Sequence, residues 1–218
     1  MIENFNIKKY SHIFIDFDGV IKDSVNIKGL AFKELFEEYG TTASERIYDH
    51  HLSHGGISRY EKMPIYLDIV NEPVNQKNIE KFLNKFSKSV FKKVINSNWI
   101  PGAKVFLDKN YKNCNLILIS ATPQDEIEQI LKSLNIHHFF NEVYGSPNTK
   151  TKVIKSIKTH NYLSDEEILV IGDTITDMEA AKSNFLDFLL IDFNGSFSHD
   201  SVNFKKNFYR LKDFSSLI

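Results

Sequence analysis

His12-Ile13-Phe14-Ile15-Asp16-Phe17-Asp18-Gly19-Val20 carries the strongest local signal in the chain. Ile13, Phe14 and Ile15 form the short, uninterrupted apolar run expected of a strand buried on both faces of a parallel sheet. The run breaks into two carboxylates, Asp16 and Asp18, followed by Gly19, a residue suited to a tight turn. In an open α/β sheet ligands bind beyond the carboxyl ends of the strands, so both acids are expected where such a fold puts its chemistry. Taken alone, Asp-x-Asp-Gly is also an ordinary turn. It matches the first half of a calcium loop too, but a loop begun at Asp16 has no glutamate at its twelfth position.

The rest of the chain supplies the context. Its 218 residues, 42% hydrophobic and 25% charged, suffice for one large globular domain or a domain with an insert. A formal net charge of −1 gives no electrostatic footprint for nucleic acid or an anionic membrane. Apolar runs such as Leu116-Ile117-Leu118-Ile119 are too short to span a bilayer. The N-terminus, with Glu3 and Asn4, lacks an apolar signal segment, so a cytoplasmic location is expected. The single cysteine, Cys114, excludes an internal disulfide and reads as a small buried hydrophobe.

After Gly19, Ile27, Leu30, Ala31, Phe32, Leu35, Phe36 and Tyr39 recur at helical spacing, and Gly40 stops that helix. A polar stretch rich in His and Gly follows at 50–59. A helix from about Arg59 to Val70 should kink or split at Pro64, and another spans about Asn75 to Asn96. No strand signal lies between Asp23 and Asn98. From Trp99 onward strands and helices alternate, with strands expected at 115–120, 142–144, 168–171 and 188–191 and helices at 103–110, 123–135, 151–159 and 177–184. The economical layout is an α/β core of residues 1–22 and 99–218 with a parallel sheet, and a helical insert, 23–98, above its carboxyl edge.

Three further strand ends carry suggestive residues. The strand at 115–120 ends in Ser120-Ala121-Thr122-Pro123, with Thr122 expected to cap the next helix and leave free N–H groups for an anion. Gly145-Ser146-Pro147-Asn148-Thr149-Lys150-Thr151-Lys152 offers a lysine that can neutralise a phosphate, although the spacing of a P-loop is absent. Leu169-Val170-Ile171-Gly172-Asp173 repeats the opening pattern, with Thr176 and Glu179 expected to cap a helix that holds Asp177 in its first turn. Asp16, Asp18, Asp173 and Asp177 would then converge, and four carboxylates ionise together only around a cation. An acidic, oxygen-only site of this kind suits Mg²⁺ with a substrate phosphate.

These four stretches resemble, in order, the four motifs of the haloacid dehalogenase superfamily. The insert resembles the helical cap of its phosphoglycolate phosphatase and β-phosphoglucomutase branch. Asp-Ser-x-x-Ile-Lys at 23–28, Gly-Gly-x-Ser-Arg at 55–59 and Gly-Ser-Pro at 145–147 resemble phosphatases of surface-carbohydrate biosynthesis. The resemblance implies a Rossmann-like three-layer core with a cap inserted after the first strand. It implies Asp16 as nucleophile and Asp18 as general acid and then base. Ser120, with Gly19, Ala121 and Thr122, would surround the phosphate. Mg²⁺ would be held by Asp16, the main-chain carbonyl of Asp18 and Asp173, with Asp177 as a further acid. Relatives that cleave carbon–halogen or phosphonate bonds lack the second acid, so Asp18 favours a phosphate ester. Lys150 and Lys152 both match the third motif, and Lys150 fits the Gly-Ser-Pro-x-x-Lys form better.

In the insert, Gly56 lies in a loop expected to dip into the site, with Arg59 and Lys62 reading an anionic or hydroxylated group on the leaving alcohol. His54, then His50 and His51, are lesser candidates, and Asp23, Asn26 and Lys28 are expected as hinge or pocket wall. The expected substrate is a small phosphorylated sugar, polyol or acid, and the expected assembly a monomer or homodimer. Two alternatives stay open: a sugar phosphomutase with the same motifs, and a non-catalytic phospho-acceptor or binding protein.

Overall fold

The computed structural model describes residues 5–195, 197 and 204–218; Glu3 and Asn4 lie outside them. Six parallel strands form one sheet in the order β3-β2-β1-β4-β5-β6. They are β1 (His12–Ile15), β2 (Asn115–Pro123), β3 (Glu142–Ser146), β4 (Ile168–Gly172), β5 (Asp187–Ile191) and β6 (Phe208–Leu211). β1 is central, with Ile15 opposite Leu118 on one side and Ile171 on the other. That register brings the ends of β1 and β4 level, and Asp16 and Asp173 follow them.

Side-chain alternation along the strands builds two cores, as pleating requires. Ile13, Ile15, Leu116, Leu118, Leu169 and Ile171 face one helical layer, with α5 (Ala103–Asn110) and α6 (Gln124–Ser133). Phe14, Ile117, Ile119, Val170 and Phe188 face the other, with α7 (Lys150–His160) and α8 (Ile175–Ser183). The result is the three-layer α/β fold anticipated from the alternating elements.

Between β1 and β2 the chain is helical: α1 (Val25–Leu35), α2 (Thr41–Ser53), α3 (Arg59–Ile69) and α4 (Gln76–Asn96). Their core is aromatic, with Phe32 stacked on Phe86 at 3.8 Å and Phe36 on Phe82 at 5.2 Å. The two ends of the insert run side by side: Asp23 N–H donates to Asn98 O and Ile100 N–H to Ile21 O. Lys22 donates to Ile95 O and lies over the Trp99 ring.

Several local expectations are corrected. The first insert helix ends at Leu35; a 3-10 turn, Glu37–Tyr39, precedes Gly40, whose φ of +101° marks the break. The first four residues of the expected polar stretch, 50–53, close a helix, α2, which buries only Ser44, Ile47 and His51. Pro64 lies inside an unbroken α3, at the sixth of its eleven residues. β2 runs on to Pro123, which takes the N-cap position of α6, so Thr122 is not a cap. Thr174, not Thr176, caps α8, and its reciprocal partner is Asp177, not Glu179. β6 was not expected. Cys114 lies just outside β2, half-buried, and burial pushes its thiol up to about 11.

Candidate active site

Asp16 leaves the end of β1 with its backbone N–H on Ile171 O of β4. Its side chain is buried, 6% exposed, and accepts from the Phe17 N–H at 2.7 Å. Ligand oxygens of Asp16, Asp173 and Asp177 all lie within 4.8 Å of one another. Three acids from two strand ends and a first helical turn therefore form one cluster. Gly19 allows it: φ is +78°, and a Cβ there would lie 2.0 Å from Asp173 Oδ2.

Lys150, at the start of α7, places Nζ 2.7 Å from Asp16 Oδ2 and 2.6 Å from Asp177 Oδ1. Lys152, the other candidate, is exposed. Burial lowers the Lys150 pKa, but the charges of Asp16 and Asp177 outweigh it and hold the ammonium protonated. The second Asp177 oxygen accepts from the Thr174 N–H and hydroxyl. Both Asp177 oxygens are thus committed. Asp173 Oδ1, by contrast, is buried with no hydrogen-bond partner, the only such side-chain atom among the described residues. A buried carboxylate oxygen left bare is costly. Burial, then the charges of Asp16 and Asp177, push the Asp173 carboxyl well above its ordinary value. Burial likewise raises Asp16 to about 7, with Lys150 opposing and Asp177 and Asp18 adding to the rise. An oxygen-only donor set with one bare oxygen and elevated carboxyl pKa values fits a hard divalent cation.

Asp18 stands apart from that cluster. Its Oδ1 accepts from Ser24 Oγ and its Oδ2 from Lys28 Nζ, each at 2.5 Å, and Oδ2 also accepts from Thr122 Oγ1 at 3.1 Å. Burial alone would raise its pKa, but the Lys28 charge and these hydrogen bonds hold it below its ordinary value. Ser24 and Lys28 enter from the insert and Thr122 from β2, so Asp18 is held from both sides.

Asp16, Asp18, Asp173, Ala121 and Thr122 line a cavity of about 60 Å³ together with Val25, Lys28, Phe32, His51, Gly56, Arg59 and Lys62 of the insert. Lys62 is 2% exposed, and its Nζ meets only His51, Nδ1 at 3.2 Å and the carbonyl at 3.4 Å. Burial, then the Lys28 charge, lower Lys62 to about 8. Burial, Lys62 and Lys28 lower His51 to about 3, which keeps its ring neutral. Of the three histidines considered, His51 reaches the cavity; His50 and His54 stack on each other at 4.0 Å. Ser120 is buried, and its Oγ accepts from the Thr122 N–H at 3.1 Å. It lines a second cavity of about 220 Å³ with Lys150, Ser58 and Ser146.

Arg59 is brought to the cavity wall, but its guanidinium is spent on Glu126, by two N–H donors at 2.7 Å each. Glu126 had no signal in the sequence, since its partner lies 67 residues away. The same holds for Lys28 as a partner of Thr122, 94 residues off.

Residues 13–191 match the family model described as haloacid dehalogenase-like hydrolase. A phosphorylated carbohydrates phosphatase from Thermotoga maritima is 25% identical over 177 residues, covering 78% of this chain and 80% of its own. The fold is shared with a haloacid dehalogenase-like family protein from Streptococcus pneumoniae (TM-score 0.70, 21% identity, 97% and 98% of the two chains). It is also shared with a Bacillus subtilis protein named as a HAD hydrolase, bound to magnesium in a form that reveals interdomain movement (TM-score 0.71, 15% identity, 96% and 97%).

Proposed function

The chain belongs to the haloacid dehalogenase-like hydrolase family, and from that premise we propose that it hydrolyses a small phosphate monoester through a phosphorylated Asp16. The observation that carries this reading is the convergence of Asp16, Asp173 and Asp177 with Lys150 beneath a cavity edged by Asp18. A carboxylate oxygen of Asp16 attacks phosphorus as the bond from phosphorus to the leaving alcohol oxygen breaks. Asp18 delivers the proton that oxygen needs. Water then attacks the acyl phosphate, Asp18 takes its proton, and inorganic phosphate and free Asp16 result. The arrangement described above holds Asp18 as an anion, the state suited to the second step. To act as an acid it must first be released from Lys28 and gain a proton.

Asp173, with its bare oxygen, and Asp16 would hold Mg²⁺ directly, with the Asp18 carbonyl as the further ligand the family resemblance implies. Asp177, both of whose oxygens are engaged, would instead orient Lys150. When bound, the ion would supply positive charge beside the phosphoryl oxygens. Ser120 and the Ala121 backbone would take those oxygens from the other side. The magnesium-bound relative from B. subtilis supports this ion.

Residues 23–98 serve in this reading as a cap over residues 1–22 and 99–218. Lys62, buried, bonded only to His51 among the described residues and on the wall of the acid-lined cavity, suits a hydroxyl or anionic group on the leaving alcohol. A small phosphorylated sugar, polyol or acid fits, in line with the phosphatase from T. maritima. The test is phosphate release from a panel of such esters with Mg²⁺ and after EDTA. Mg²⁺-dependent release supports the reading. No release from any member, beside an active control enzyme, overturns it and favours a mutase or a binding protein.

A further inference from the structure

Arg59 lies in the walls of two cavities at once. One is the acid-lined cavity of about 60 Å³; the other is a groove of about 680 Å³ between α4 and α6, bordered by Leu83, Lys88, Phe91, Pro123 and Gln129. Glu126 lines the groove as well. Arg59 begins α3 of the insert and Glu126 sits in the first turn of α6, so their ion pair crosses from insert to core. Both side chains are nearly enclosed, at 5% and 10% exposure.

The pair differs from the other contacts of its loop. Ser58 Oγ meets Ser146 Oγ at 2.7 Å and Thr176 Oγ1 donates to Gly55 O at 2.9 Å, both single bonds between uncharged groups. Arg59 and Glu126 share two charge-assisted bonds in a fixed fork. On its own side Arg59 is also held by Ser87 Oγ at 2.7 Å and by the Phe86 ring at 4.7 Å, so on separation it stays with the insert. A buried ion pair separates only where each charge regains water or a new partner. The groove, with Asn84, Lys88, Lys92 and Asp125 around it, provides that wet surface.

We infer that the Arg59–Glu126 pair is a gate between the α4–α6 groove and the acid-lined cavity, and that the ester enters from the groove when the pair parts. Arg59 is then a positioning residue for closure, and its guanidinium is not a reader of substrate. The inference rests on taking the acid-lined cavity as the reaction site.

Spin labels at Lys88→Cys and Gln129→Cys, both exposed and across the groove, report its width by double electron–electron resonance, with Cys114→Ala removing the native thiol. In that background Glu126→Gln is expected to turn a minor, longer-distance population into the major one. The exchange Arg59→Glu with Glu126→Arg is expected to return the parent distribution. Glu126→Gln and Arg59→Gln distributions that superimpose on the parent overturn the gate. So does a folded exchange variant, by circular dichroism, that stays as wide as the single variants. The distance is read without substrate, so a failed phosphatase assay does not bear on it.

Discussion

Asp173 carries the sharpest prediction at the level of single residues. Its buried, bare oxygen is a cost that a cation removes. In EDTA, Asp173→Asn is expected to melt above the parent, by a gain of about 1–3 kcal/mol from a relieved buried carboxylate. Mg²⁺ is expected to raise the melting temperature of the parent and leave the variant unmoved; thermal melts in both buffers check this. Asp18→Asn is expected to lower turnover of alkyl phosphates by roughly 10²–10⁴, the usual share of a general acid–base group. With an aryl phosphate, whose leaving group needs no proton, the same variant should accumulate phosphorylated Asp16, visible by mass spectrometry. Gly56→Ala is expected to destabilise by more than about 1 kcal/mol in a denaturant titration, since φ is +75° and the new Cβ would lie 2.4 Å from Thr176 Oγ1. Asp16 and Asp173 stand out in the sequence because each ends an apolar run abruptly. Lys28, Glu126 and His51 were not legible as partners, because nothing local marks a side chain whose partner is reached only through the fold.

At the scale of elements, β1, β2, β4 and β5 were legible from continuous Ile, Leu, Val and Phe runs that only a strand covered on both faces needs. α2 was not: its sequence, Thr41-Thr42-Ala43-Ser44-Glu45-Arg46-Ile47-Tyr48-Asp49-His50-His51-Leu52-Ser53, offers few apolar positions, and packing on α1 makes it a helix. The end of β2 misled for a related reason, since Thr122 is spent on Asp18 and Lys28 rather than on a cap. β6 is a short, half-buried edge strand with little pattern. Its anchor is Asp187 of β5, which accepts from Tyr10 Oη at 2.8 Å, Lys9 Nζ at 3.1 Å and Asn207. Burial would raise the Asp187 pKa, but hydrogen bonds from Asn207, Tyr10 and Lys9 outweigh it and hold it below its ordinary value. A depressed carboxylate lends stability above its unfolded pKa and loses it as pH falls through the folded value. Asp187→Asn is therefore expected to cost about 1–3 kcal/mol at pH 7. The gap from the parent should shrink below about pH 4, the ordinary carboxylate range, in urea titrations across pH.

On the scale of the whole molecule, the succession of helices after β1 and of alternating strands and helices from residue 99 onward was legible, because the change of pattern at Trp99 is abrupt. The order of the strands was not, since pairing is set by register and packing between runs that look alike. The paired chain ends at Ile21–Asp23 and Asn98–Ile100 give the insert a narrow attachment over the acids. β1 and β4 end just before Asp16 and Asp173, and α7 and α8 carry Lys150 and Asp177 in their first turns, all at one edge of the sheet. That geometry makes covalent phosphorylation of Asp16 the centre of the account. Acid quenching during turnover, followed by peptide mass spectrometry, tests it directly. The account predicts one phosphoryl group on Asp16 in the parent, and neither adduct nor phosphate release in Asp16→Asn. Sustained phosphate release by Asp16→Asn, with no adduct on the parent under the same quench, would contradict it.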